Sequence, residues 1–444
     1  MNCTIVPVCV LSDDLTGAMD AGVQLVKKGY RVEVFFDTEK FRYEPEKDAI
    51  IIIDTETRNI PETEAYERIA SVADTLKRQK LRICYKKTDS TLRGNLGSEM
   101  KALLDGDSTM MIAYAPALPY NGRITRNGNH YVNGRLLTET DIAKDPFSPI
   151  KSAFIPDVLS GQYSGKCCVI DFNTVKKGAR ETAAELKRMY DSGCRIVVLD
   201  VLDDNDLAVI AEAIGISSLN ILAAGSAGLF PHMFKDIEAK PETENDGAQT
   251  PCSMGQCFAK PVIVISGSPA EASKIQISRA ENAGYPDVHV VKLDITSAAS
   301  GGKASQTEYK RVISEFIENL SAGKSVILDG AGESKAKIFM ERKNDAGILR
   351  KESENIQNLI TRVVKESLQE FEVAGLMISG GDTAVSIFRE LGSYGILITG
   401  EPEPYVAAGV LKGGLYRGIP VITKAGGFGC PDSFINGIKY LRGI

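Results

Sequence analysis

The chain has 444 residues, 43% of them apolar and 25% charged, and a formal net charge of −6 at pH 7. This is a globular composition too long for one ordinary core, so two or three domains of ~100–200 residues are expected. No run of clustered Lys and Arg offers a nucleic-acid surface, and no stretch approaches the ~20 apolar residues of a membrane-spanning helix, which leaves neither nucleic acid nor membrane as an expected partner.

The opening stretch "MNCTIVPVCVLSDDLTG" lacks the basic segment and cleavage site of a secretory signal. Nine cysteines are scattered without pattern, and Cys9, Cys84 and Cys168 fall in apolar runs, where they read as small core hydrophobes. This usage predicts a reducing, cytoplasmic setting. Cys252 and Cys257 form a lone C-x4-C pair with no second pair nearby, a weak match to zinc-ligand spacing. With three histidines, His130, His232 and His289, a multi-histidine metal centre is not expected.

In chain order, "IVPVCVL", "RVEVFF", "AIIIID", "LRICY", "TMMIAYA", "CCVID", "RIVVLD" and "NILAAG" predict strands, and residues 62–79, 179–192 and 205–213 carry helical spacing. Strands alternating with helices predict an α/β fold: two domains, each a mostly parallel sheet flanked by helices. Continuously apolar strands fit sheets covered on both faces. From 115 to 150 the text is rich in Gly, Asn and Pro with almost no period, and reads as a long functional loop, with a mobile excursion or an oligomer contact as the plain alternative. A homo-oligomer is compatible with either. Near residue 240 the chain turns polar, and 241–259 reads as a linker between domains at 1–240 and 260–444. Strands then resume at "PVIVISG", "DVHVVKLD", "KSVILDG", "VAGLMISGGD", "GILITG" and "GIPVITK", with a flexible loop expected at "SAASGGKASQ".

Ligands of open α/β sheets bind outside the carboxyl ends of the strands. After the first strand come Asp13 and Asp14, two carboxylates where one helix cap would need a single residue. After the third comes Arg58, a planar partner for a carboxylate or phosphate. After the fourth comes "YKKTDSTLRGN", which brings Lys86, Lys87, Thr88, Asp89, Ser90, Thr91 and Arg93 to the same edge. Cations for a small anion, with carboxylates and hydroxyls for polyol groups, suit a sugar acid. In the second half the strand ends carry Ser266-Gly267-Ser268, Gly380-Gly381-Asp382-Thr383 and Lys424 with Gly426 and Gly427. Three such turns suggest a phosphate cradle of backbone N–H groups and a helix N-terminus. None matches the P-loop or dinucleotide fingerprint, which speaks against a dehydrogenase.

"SDDLTGAMDAG", "KKTDSTLRGN", "ISGGDTA" and "KAGGFG", in this order and spacing, closely resemble the four-carbon acid sugar kinase family, which includes threonate, erythronate and 3-oxo-tetronate kinases. The resemblance implies an N-terminal sugar-acid-binding domain, a C-terminal ATP-binding domain and an active site in the cleft between them. It implies ATP-dependent phosphorylation of the terminal 4-hydroxyl of the acid, with magnesium accompanying the nucleotide. By position, Asp13 or Asp14, Arg58 and the Lys87–Ser90 segment would meet the substrate, and Ser266 or Ser268, Gly380–Thr383 and Gly427 would meet ATP. The base for the attacking hydroxyl would be Asp14 or Asp89, or Asp382, which would otherwise hold Mg²⁺. A nucleotide-regulated sugar-acid-binding protein is the rival reading. The carboxylates beside the anion site favour an enzyme, because binding alone needs no base.

Overall fold

The structure, a computed structural model, describes residues 8–42, 49–145, 148–234, 260–282, 285, 287–331 and 346–443. The predicted linker at 241–259 and the Cys252/Cys257 pair lie outside the described residues. The chain divides into two compact units, Met1–Lys240 and Pro241–Ile444.

In the first unit the strands are β1 (Val8–Ser12), β2 (Val32–Phe35), β3 (Ile50–Asp54), β4 (Arg82–Lys87), β5 (Met111–Ala115), β6 (Arg123–Arg126), β7 (Asn129–Val132), β8 (Arg135–Leu136), β9 (Cys167–Ile170), β10 (Ile196–Leu199) and β11 (Ile221–Gly225). Eight of them form one sheet in the order β2-β3-β1-β4-β11-β5-β10-β9, every neighbouring pair parallel. Its strands are apolar because helices cover both faces. The four isoleucines of β3 are all buried, each contributing about 2 kcal/mol of transfer free energy. Helix Glu62–Arg78 shows how the cover is written: Ala65, Ile69, Val72 and Leu76 make the buried stripe. Glu62 and Glu64 sit in its first turn and Lys77 and Arg78 in its last, matching the helix dipole.

The chain leaves β1 toward β2 and leaves β4 toward β5, on opposite sides, although β1 and β4 are neighbours. This is the point of an open sheet where a crevice forms at the carboxyl edge. Ser12 is level with Asp54 on one side and Lys87 on the other, and Lys87 is level with Gly225. The loops after these strands therefore start from one line.

Residues 115–150, expected as a structureless loop, instead carry the antiparallel sheet β6-β7-β8. Its two tight turns are Asn127-Gly128 (φ 49° and 71°) and Asn133-Gly134 (φ 49° and 78°). Positive φ at both central positions is the hairpin turn that Asn-Gly favours, and the short strands between the turns hide the alternation. Cys168, read as a core hydrophobe, is bonded to Cys194 in a disulfide across the β9–β10 edge, with Cα atoms 6.4 Å apart. Cys9 is buried and Cys84 half-buried, both as free thiols.

The strands of the second unit are β12 (Val262–Ser266), β13 (Val288–Lys292), β14 (Ser325–Asp329), β15 (Gly375–Ser379), β16 (Gly395–Glu403), β17 (Val406–Lys412) and β18 (Pro420–Lys424). Their order is β13-β14-β12-β15-β18-β17-β16, parallel through β18, with β17 antiparallel to both of its neighbours. Strand β17 was not anticipated. The expected loop "SAASGGKASQ" is two helices, Ile295–Ser300 and Gly302–Ser321, divided at Gly301 with φ 69°. Buried Ala298 and Ala299 and the Asp294 cap hold the first of them, so packing overrides the weak helix propensity of Ser and Gly. No helix among the described residues is long and apolar enough to cross a membrane.

Candidate active site

The residues after β1, β3 and β4 interlock. Asp14 caps helix Leu15–Val26 with extended backbone (φ −149°), accepting the Gly17 N–H at 2.9 Å and the Thr16 hydroxyl. Its carboxylate also meets Arg58. Arg58 Nε donates to Asp13 Oδ2 at 2.9 Å and Nη2 to Asp13 Oδ1 at 3.0 Å. Nη1 and Nη2 donate to the two oxygens of Asp14, both at 2.7 Å. One guanidinium thus bridges both aspartates, using the fork geometry on each. Burial would push the Asp13 carboxyl up, but Arg58, then Lys86 and Lys87, outweigh it and hold it below its ordinary value. Burial likewise works against the charge on Arg58, and Asp13, Asp14 and Asp89 overcome it.

Lys86 and Lys87 diverge, as consecutive strand residues must. Lys86 Nζ lies 2.5 Å from Glu99 Oε2 in helix Leu96–Gly106, with both side chains buried. Burial raises the Glu99 carboxyl despite this pairing. Lys87 is 5% exposed. Its ammonium donates to the Thr88 carbonyl at 3.0 Å, and among the described residues no carboxylate forms an ion pair with it. Gly17 makes its room: a Cβ there would lie 2.8 Å from Nζ.

The turn after β4 is tied by Asp89. Its Oδ2 accepts Thr91 N–H at 3.2 Å, the Thr91 hydroxyl at 2.5 Å and Arg93 Nε at 2.8 Å, and its Oδ1 accepts Arg93 Nη2 at 3.0 Å. Burial opposes ionisation of Asp89, but Arg93 and Arg58 hold it well below the usual carboxylate range. Thr88 N–H donates to the Gly225 carbonyl at 2.8 Å, and its hydroxyl lies 3.5 Å from the Tyr114 hydroxyl. Ser90 Oγ accepts from Arg123, and the Ser90 carbonyl is bonded to His130 Nε2 at 2.9 Å. Asp13, Asp14, Arg58, Lys87, Thr88, Asp89, Ser90 and Arg93 therefore fall at one edge of one sheet. Sequence reasoning missed Glu99, Arg123 and His130. The first pairs through a following helix, and the other two lie in the stretch read as loop.

In the second unit Ser266 is level with Ser379, and Ser379 with Lys424. Backbone bonds stitch the three turns: Gly267 N–H to Ser379 O and Gly380 N–H to Lys424 O, both 2.9 Å. Gly380 has φ 117°, a region closed to most residues. A Cβ on Gly267 would run into the Thr383 hydroxyl, and one on Gly426 into the Ser268 hydroxyl. Gly381 opens helix Gly381–Glu390 and Asp382 lies exposed in its first turn. The Ser266 hydroxyl is buried and has no hydrogen-bond partner among the described residues. A Cβ on Gly427 would meet nothing within 4 Å, so that stretch of backbone is open. Ser273, not anticipated, ties the turns from below, 3.1 Å from the Ser379 hydroxyl and donating to Gly426 O at 2.9 Å. Lys424 donates to the carbonyls of Ala425 (3.2 Å) and Gly426 (3.4 Å). Burial pushes its ammonium down to about 8, only partly offset by Glu403.

Comparison with known proteins follows the same division. A family model described as a sugar-binding N-terminal domain matches residues 8–233, and one described as a nucleotide-binding C-terminal domain matches 263–434. The chain is 28% identical to a D-threonate kinase of Salmonella typhimurium, covering 98% of each. It is 30% identical to a D-erythronate kinase of Heliobacterium modesticaldum, covering 98% of this chain and 97% of that one. A 3-oxo-tetronate kinase of Salmonella typhimurium is 24% identical over 96% of this chain and 97% of its own. A crystal structure from Haemophilus influenzae superposes with a TM-score of 0.69 at 25% identity, covering 98% of this chain and 99% of that one. With both family models matched in order and kinases of three four-carbon acids aligned along almost their whole length, the chain belongs to the four-carbon acid sugar kinase family.

Proposed function

We propose that the protein is an ATP-dependent kinase that phosphorylates the terminal hydroxyl of a four-carbon sugar acid, with threonate, erythronate and 3-oxo-tetronate as the candidate acceptors. The observation that carries this reading is Lys87, a buried ammonium that forms no ion pair within 4.0 Å among the described residues, beside the Asp13–Arg58–Asp14 cluster at the carboxyl ends of β1, β3 and β4. A buried charge without a direct ion pair is costly, and a ligand carboxylate would supply one. The aspartates supply acceptors for hydroxyls, so the set suits an anion that is also a polyol.

In this reading Lys87 and Arg58 take the acid group, Asp13 accepts from a substrate hydroxyl, and Thr88 and Ser90 meet hydroxyl or carbonyl oxygens. Asp89 and Arg93 hold the turn in shape. The substrate hydroxyl oxygen attacks the γ-phosphorus, the bond from that phosphorus to the bridging oxygen of ADP breaks, and the hydroxyl proton passes to a carboxylate. We assign that carboxylate to Asp14, whose side chain is 12% exposed where that of Asp13 is 1% and that of Asp89 is 8%. The nucleotide phosphates would lie on Ser266, Ser268, Gly380, Gly381, Thr383, Gly426 and Gly427, where the small side chains of Thr383 and Ser268 pack directly on the backbone of Gly267 and Gly426. Among the described residues no group of three or more His, Cys, Asp or Glu forms a metal cage. A Mg²⁺ held mainly by phosphate oxygens and water fits this chain, with Asp382 as the carboxylate beside the glycine turn. When bound it would neutralise phosphate charge.

The test is ADP release from ATP in the presence of each of the three acids. Turnover with at least one is expected. ATP binding by calorimetry without turnover on any of them would sink the kinase reading for these substrates.

A further inference from the structure

The antiparallel sheet β6-β7-β8 is fastened where it meets the turn after β4. The buried carboxylate of Asp200, just past β10, accepts Asn127 N–H at 2.5 Å and Gly128 N–H at 2.9 Å, and a third backbone donor, Phe172 N–H, at 3.1 Å. Thr125 and Val201 exchange both backbone bonds at 2.9 Å. Ile155 N–H reaches Gly128 O and His130 N–H reaches Ala153 O, both at 2.8 Å. The hairpin is thus clamped at its turn and along its edge, and it presents two side chains to a single residue: Arg123 to Ser90 Oγ and His130 to Ser90 O.

The chemistry of those two contacts has a fixed direction. A carbonyl only accepts, so His130 Nε2 carries the proton, and Nδ1 is left to accept from Thr125 Oγ1 at 3.3 Å. Burial holds His130 down at about 4, so the ring is neutral at pH 7 with this one tautomer. A guanidinium only donates, so Ser90 Oγ must accept from Arg123. The Ser90 hydroxyl proton is then left over, and no described residue accepts it.

We propose that Arg123 is a positioning residue for acid recognition: by donating to Ser90 Oγ it makes the Ser90 hydroxyl an obligate donor to the ligand, so the site requires an accepting oxygen (carboxylate, carbonyl or hydroxyl) at that position and disfavours a group that can only donate. The proposal rests on the reading that the sugar acid binds at the Lys87–Ser90 turn. It also gives the 115–150 segment its task, which is to set the polarity of one hydroxyl.

The test uses the full chain and three variants. Arg123→Lys keeps a donor that cannot accept. Arg123→Gln offers an amide that can turn its oxygen to Ser90 and take the proton. Ser90→Ala removes the donor. For whichever of the three acids the wild type uses, Arg123→Gln is expected to raise KM by about tenfold with kcat nearly unchanged, the scale of one hydrogen bond to a charged group. Arg123→Lys should stay within about threefold of wild type, and Ser90→Ala combined with Arg123→Gln should be no worse than Ser90→Ala alone. KM for ATP should not move in any variant. Equal KM for the Lys and Gln variants, or additive losses in the double variant, would overturn the proposal, as would a loss shared equally between kcat and both KM values. Calorimetric titration of each acid in the absence of ATP separates this from the kinase reading. If the wild type binds an acid but releases no ADP, the kinase reading fails and the same ranking of variants is read from Kd. If it binds none, both fail.

Discussion

Replacing Lys87 by Met should move stability and ligand binding in opposite directions. The ammonium is buried and, among the described residues, donates one hydrogen bond, to the Thr88 carbonyl. Losing that bond and the attraction to Asp13 costs about 1 kcal/mol, and removing a buried charge that has no direct ion pair among the described residues recovers about 2 kcal/mol. The thioether fills the same channel at similar volume, so little packing is lost. The free protein should gain about 1 kcal/mol, which for a unit of this size is a Tm rise of about 2–4 °C. The ligand effect runs the other way. At a concentration of 100 times Kd an acid stabilises the wild type by about 2.7 kcal/mol, a further rise of about 5–10 °C. Without Lys87 the acid group is left with Arg58, four of whose five N–H groups are taken by Asp13 and Asp14, and losing a buried charge pair costs about 2–5 kcal/mol of affinity. Calorimetric melting of wild type and Lys87→Met, with and without each of the three acids, reads both effects at once. A variant that melts lower than wild type yet shows the same acid-induced shift would refute the reasoning, because Lys87 would then be a structural cation.

Asp89→Asn should lower stability at pH 7 by about 2–3 kcal/mol through the Arg93 and Thr91 bonds, read as a fall in Tm. Because the folded Asp89 titrates well below its unfolded value, its contribution is fully present above pH ~4 and fades as pH drops further, so the two melting curves should approach each other as the pH is lowered below ~4. Lys424 has the opposite sign. Its folded value is about 8 against 10.5, so the unfolded chain binds the extra proton, and wild-type stability relative to Lys424→Met should rise by up to about 3 kcal/mol between pH 8 and 10.5; parallel pH profiles would count against it. Gly267→Ala puts a methyl into the Thr383 hydroxyl and should weaken ATP binding at least about tenfold while leaving acid affinity unchanged, a scale set by the loss of one or two phosphate contacts. Unaltered ATP affinity in calorimetry would remove that turn from the nucleotide site.

The parallel strands were legible because a strand covered on both faces has to be apolar throughout, and runs such as Ile50–Ile53 or Val262–Ile265 admit little else. What escaped was structure whose signal is local and short. β6 and β7 have four residues each and β8 two, too few for an alternation to stand out, although the Asn-Gly pairs at 127–128 and 133–134 mark both hairpins. Strand β17 follows two prolines and contains Gly409, whose Cβ would collide with Ile396 and Leu397, so its composition reflects close packing on β16 rather than strand propensity. The site shows the same split. Asp13, Arg58 and Asp89 could be placed from the strand-end rule, since an element's end is a one-dimensional property. That Arg58 spends its fork on two aspartates 44 and 45 positions away, or that Lys86 finds Glu99, depends on how loops meet in space. Cys168 read as a core residue because its bonded partner, Cys194, is 26 positions off in a different segment.

Strand β11 lies between β4 and β5, and it is the last strand of its unit to be made. During synthesis β4 and β5 emerge with facing edges that cannot close on each other. The Thr88 N–H that ends on Gly225 O therefore waits for 137 further residues, counted from 88 to 225, or about 7–27 s at ordinary elongation rates. For that interval the turn that carries Lys87, Asp89 and Ser90 hangs from a sheet with an open seam through its middle, the kind of edge that pairs with other chains. A nascent or truncated chain ending before residue 221 should be aggregation-prone for this reason alone. The proposed acid site, though built mostly from the first hundred residues, would be among the last parts of its unit to take shape.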